Sequence, residues 1–140
     1  MPGSAIIPAL RYRDAAAAID WLCRAFGFES HMVVDGEDGL VAHAQLVYRH
    51  RGGDAMIMLG SVRDDEYGRL LIAPQDAGGA NTQSVYVVVD DVDAHHRRAA
   101  AAGADVVTPP EEQDYGGSLY TCRDPEGHVW SFGSYDPWAQ

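Results

Sequence analysis

Lysine is absent from this 140-residue chain, and all ten basic residues are arginine. That absence excludes Schiff-base chemistry and a lysine general base. Cysteine is nearly absent: Cys23 and Cys122 stand far apart, with no C-x-x-C or other metal-ligand spacing. Two free thiols in a reducing cytoplasm are the simplest reading. No apolar run approaches the roughly 20 residues a membrane span needs. The opening stretch MPGSAIIPALRYRD also lacks the basic n-region and apolar core of a secretory signal. A cytoplasmic protein is expected. Positive charge is scarce, with 10 basic against 21 acidic residues and a net charge of −11. Such a field repels nucleic acid and anionic membranes, so neither is an expected partner. The same field draws a cationic small molecule toward a cleft. No G-x-S-x-G elbow and no phosphate-cradling glycine motif occurs.

What is present suits one α+β domain. A chain of this length buries roughly 70% of its unfolded surface, and 46% apolar with 22% charged residues is ordinary for a globular protein. The pattern is doubled. AIIPALRYR reads as a strand, followed by Asp14 as N-cap and a helix to Gly27 in which Ile19, Leu22, Cys23 and Phe26 form an apolar stripe. SVYVVVD repeats the strand, and a second helix runs from Asp90 to its stop at Gly103, the same separation as Asp14 to Gly27. Three strand-like stretches follow each helix: Phe28–Val34, Leu40–Tyr48 and Ala55–Gly60, then Asp105–Thr108, Ser118–Arg123 and His128–Tyr135. The chain thus divides into a βαβββ module over residues 4–60, a polar, glycine-rich linker over 61–82 and a second βαβββ module over 83–135. A linker of that length permits pairing of modules between two chains, so a homodimer, domain-swapped or not, is expected.

Near the C-terminus, CRDPEGHVWSFGSY poses the question of a site or a turn. DPEG is a β-turn by composition. Beyond it the residues alternate. Trp130 and Phe132 fall on one face for packing under a helix, and Val129, Ser131 and Gly133 on the other. The doubled βαβββ pattern ending in DPEGHVWSFG resembles the vicinal oxygen chelate superfamily, the group of glyoxalases, bleomycin-resistance proteins and extradiol dioxygenases. The resemblance covers essentially the whole chain. It implies two modules that curl their strands into a cup-like mixed sheet, helices outside, around one concave site.

In metal-using members of that family, the first and last strands of each module supply the ligands. The matching positions here are Ile7, Met58, Ser84 and Ser131. A divalent ion wants imidazole or carboxylate there, so no metal or other cofactor is expected, and the resemblance narrows to the metal-free bleomycin-resistance branch. The concave site is then a ligand pocket lined by Met58, Ser84, Tyr86 and Ser131. His43 and Gln45 come from one face of a flanking strand, and Tyr115 from a glycine-flanked loop at the mouth. Met56, His95, His96, His31 and His50 read as packing or surface residues, and Cys23 as a core thiol. Cys122 beside Arg123 is a weaker nucleophile candidate, because a cation lowers a thiol's pKa. The expected function is sequestration of a small apolar or aromatic ligand, with a cationic one favoured by the net charge. The alternative is a lyase, isomerase or dioxygenase with a displaced metal site built from His43, Gln45, Cys122 or loop acids.

Overall fold

The computed structural model describes residues 3–139. Strand β1 (Ala9–Tyr12), helix α1 (Ala15–Phe26) and strands β2 (Glu29–Asp35), β3 (Val41–Tyr48) and β4 (Ala55–Ser61) form the first module. Strand β5 (Val85–Val88), helix α2 (Val92–Ala101) and strands β6 (Asp105–Glu112), β7 (Ser118–Arg123) and β8 (Val129–Gly133) form the second. The sheets are open and mixed, ordered β1-β4-β3-β2 and β5-β8-β7-β6, with the first strand of each module parallel to the last. The connection between them carries two short 3-10 turns, Gly68–Leu70 and Pro74–Ala77. No helix among the described residues is long and apolar enough to cross a membrane.

Local chemistry explains most boundaries. The Asp14 carboxylate accepts from the Ala17 N–H at 3.1 Å, and Gly27 ends α1 in the left-handed region at φ 87°. In the second module the cap is Asp91, one residue later than the sequence register placed it, accepting from Ala94 N–H at 3.0 Å. Asp90 is drawn instead toward Arg51, 3.3 Å away. Strand β6 runs four residues beyond its expected end, through Pro109 and Pro110. Proline is tolerated there because β6 is an edge strand and its pairing with β7 is irregular between Thr108 and Glu111.

The helix-facing sides of both sheets meet in one core. Leu22 and Phe26 of α1 join Leu46, Leu59, Tyr120, Trp130 and Phe132 in a single buried cluster. Each such side chain contributes roughly 1.5–3 kcal/mol by leaving water. The buried face of α1 is Ala15, Ala18, Trp21, Leu22, Ala25 and Phe26, rotated from the expected stripe, with Ile19 and Cys23 only partly covered. The helix is apolar nearly all round, so its phase is set by what it meets. Phe26 packs on Trp130 and Phe132 of the other module, and the Trp21 indole donates to the Ala102 carbonyl at 2.8 Å.

Polar groups at this joint are fully paired. Asp124, 3% exposed, accepts from the Tyr12 hydroxyl (2.6 Å), the Trp130 indole (3.1 Å) and the Glu126 and His128 N–H groups. Burial, reinforced by the Asp124 charge, pushes the Tyr12 phenol well above its usual pKa. Glu126 accepts from the Arg13 and Asp14 N–H groups, and the His128 ring donates to the Arg11 carbonyl at 2.8 Å. The DPEG turn is therefore a lock between modules. His95, expected at the surface, lies inside the joint. One ring nitrogen meets the Tyr120 hydroxyl (2.6 Å), the other the Phe26 carbonyl (2.9 Å), and Phe132 packs against the ring. Burial lowers its pKa and keeps it neutral.

Candidate functional site

Because the helix sides of both sheets are consumed by the core, the opposite faces point outward. On the first sheet, burial of Leu10 and Tyr12 turns Ala9 and Arg11 outward. The strand pairs Ala9–Met58, Met58–Gln45 and Gln45–Met32 make one row across that face, and Arg11–Gly60 and His43–Val34 belong to the next. His43 and Gln45 share this face, as the alternation of β3 requires, with their side-chain nitrogens 3.1 Å apart. Met58 stands beside Gln45.

On the second sheet, burial of Trp130 and Phe132 turns Val129, Ser131 and Gly133 outward. Tyr86 pairs with Ser131, and Ser131 with Thr121. The Tyr86 hydroxyl donates to the Tyr135 carbonyl at 2.6 Å, and Tyr115 meets the Tyr135 ring edge-on at 5.0 Å. Burial raises the Tyr86 pKa, helped by its tyrosine and acidic neighbours. Ser84 is exposed just ahead of β5. The seven sequence-derived site residues thus fall into two sets, Met58, His43 and Gln45 on one sheet, Ser84, Tyr86, Ser131 and Tyr115 on or beside the other. Among the described residues no side-chain hydrogen bond or aromatic contact joins the sets.

Between β5 and the first module, where residues 3–8 run beside the start of β4, lies a cleft of about 710 Å³. Of the seven residues it takes Tyr86, together with Ile6, Met56, Val88, Trp138 and His50. Met56, assigned to packing from sequence, is half-buried on this wall. His50, expected to be exposed, is largely covered; its Nδ1 accepts from the Gly52 N–H, and its buried Nε2 stands 4.0 Å from Asp90 with no hydrogen-bond partner among the described residues.

The donors at the family's metal positions do not fit a divalent cation. The pairs Ala9–Met58 and Tyr86–Ser131 make Met58 and Ser131 equivalent in the two modules. Met58 offers a soft thioether, Ile7 offers nothing, and the Ser131 hydroxyl is engaged with Thr121 Oγ1 at 2.8 Å. Among the described residues no three of His, Cys, Asp and Glu come together as a metal-binding group. The displaced set does not assemble either, since His43 faces outward while Cys122 is in the core. Cys122 also fails as a nucleophile: it is fully buried, and burial with the charges of Asp124 and Asp105 pushes its pKa up to about 12. Arg123 points to the opposite face, toward Asp105 at 3.3 Å.

Two residues that the sequence did not single out belong to the outward face. Arg11 lies over Gly60, and Tyr67 of the connection stacks on its guanidinium at 5.0 Å. Strand alternation alone turned Arg11 outward; nothing local pointed to Tyr67.

Residues 7–132 match the model of the Glyoxalase/Bleomycin resistance protein/Dioxygenase superfamily, and the chain belongs to that family. It is 37% identical to the uncharacterized protein Mb0911c of Mycobacterium bovis over 92% of this chain and 82% of that protein. Among solved structures it is similar to TioX from Micromonospora sp. ML1, with a TM-score of 0.69 and 36% identity over 94% of this chain and 98% of TioX. A glyoxalase/bleomycin resistance protein/dioxygenase family enzyme from Burkholderia phytofirmans shares the fold, with a TM-score of 0.66 and 22% identity over 89% of this chain and 93% of that one.

Proposed function

We propose that this protein is a metal-independent small-molecule binder that sequesters an apolar or aromatic ligand against the outward faces of its sheets. One observation carries the reading: the four positions from which the fold presents metal ligands hold Ile7, Met58, Ser84 and Ser131, and the only serine of these on a strand is tied to its neighbour Thr121. The surrounding surface is suited to aromatic contact, with Met58, Met32, Val34, Tyr86 and Tyr115 reaching solvent. Their exposure also supports pairing with a second copy, in which the first sheet of one chain and the second sheet of the other enclose the ligand. Both cysteines are free, in keeping with a reducing, cytoplasmic setting.

Elemental analysis of untagged protein, before and after incubation with zinc, nickel, manganese and iron(II), tests the metal half of this reading. Calorimetric titration with planar aromatic compounds tests the binding half. Near-zero metal and a saturable aromatic ligand are expected. About one metal per chain, with turnover that depends on it, would replace binding by catalysis.

A further inference from the structure

The guanidinium of Arg11 is held in place but not neutralised. Its end occupies the space over Gly60, where a methyl group would overlap it. Tyr67 covers it at 5.0 Å, and the same ring takes Arg63 on at 5.2 Å. Among the described residues Nε of Arg11 is buried and has no hydrogen-bond partner. The other arginines are placed differently. Arg13, Arg49, Arg51, Arg63, Arg69 and Arg123 all stand against carboxylates. Arg98 donates to two backbone carbonyls, and Arg24 and Arg97 are exposed. Asp65 is an acid within the field of Arg11, but its oxygens already accept from the Gly68 N–H (2.6 Å) and Arg63 (2.7 Å). Arg11 contributes least among the groups that lower its pKa.

Of this permanently charged fork only Nε is sealed from water, so the Nη groups are the part an acceptor from outside can meet, and a half-buried charge without one is costly. We infer that Arg11 is the anchor for a carboxylate carried by the ligand of the outward face. This inference rests on the binding reading above and narrows the ligand to an aromatic acid. A carboxylate accepts two parallel N–H bonds from a guanidinium edge, geometry that neither an amide nor a cation can supply. The neighbouring row of Met58, Gln45 and Met32 offers apolar contact and an amide for the rest of the molecule. Local charge here opposes the overall charge of −11. The global field slows an anion's approach, while the short-range paired bonds decide which ligand stays.

Calorimetric titration with 2-naphthoate and with 2-naphthamide, isosteric but for the charge, tests this on the full chain and on Arg11→Gln, Arg11→Lys and Gly60→Ala. The wild-type protein is expected to prefer the acid by roughly 10- to 100-fold. Arg11→Gln should abolish the preference, Arg11→Lys should retain a small part of it, and Gly60→Ala should reduce it by displacing the guanidinium. Equal affinity of wild type for acid and amide would overturn the anchor and leave the binding reading standing. A preference that survives in Arg11→Gln would overturn it as well. Failure of both compounds to bind at millimolar concentration would remove the binding reading and the anchor with it.

Discussion

Gly60 and Gly133 hold the same place in the two modules, each on the last strand and facing outward. Arg11 pairs with the first and Val88 with the second. Neither glycine has a positive φ, so space and not backbone conformation makes a side chain unwelcome. In the first module the space takes the Arg11 guanidinium; in the second it takes the Tyr86 hydroxyl, which a methyl on Gly133 would approach to 2.6 Å. The two tips then differ. Tyr86 is closed off by the Tyr135 carbonyl of its own chain, whereas Arg11 has no such partner among the described residues. The polar tip of one repeat is bonded within its own chain, and that of the other carries a charge with no bonded acceptor among the described residues.

That contrast can be broken from either side. The largest effect on stability is expected for Gly133→Ala, because the new methyl also meets the rigid Ser118 carbonyl at 3.1 Å and evicts Tyr86 from its bond. A loss of roughly 1–3 kcal/mol in urea denaturation is expected. A neutral outcome would mean that the second socket is not close-packed. Tyr86→Phe should cost about 1 kcal/mol, the worth of one hydrogen bond to a partly exposed carbonyl. Arg11→Gln should change stability by less than about 1 kcal/mol in either direction, since the lost stacking on Tyr67 is offset by removal of an unpaired buried donor. A large destabilisation in Arg11→Gln would place this arginine with the structural residues and erase the distinction between the sockets.

How much of this was legible in the chain itself varies with the range of the interaction. The doubled βαβββ order and the outward facing of His43, Gln45 and Ser131 followed from alternation and capping, which act over a few residues. The phase of α1 did not follow, because an alanine-rich helix has apolar atoms on nearly every side and only contact with Trp130 and Phe132 selects among them. His95 looked like a surface residue on a polar helix. Tyr120 and Phe26, which cover it, come from elsewhere in the chain. His50 was misread for the same reason.

Composition and local pattern therefore determined the doubled βαβββ order and the absence of lysine chemistry, since each depends on which residues stand at which step of the chain, while the family resemblance marked Ile7, Met58, Ser84 and Ser131 as the positions to test. Tertiary structure alone decided which polar groups are satisfied. Asp124 becomes a fully bonded lock because Tyr12 is brought to it from 112 residues away. Arg11 makes no ion pair among the described residues, although Asp65 lies within its field, because that carboxylate is bonded to Gly68 and Arg63. A charge's partner is set by distance in space, and the sequence carries that distance only through the completed fold.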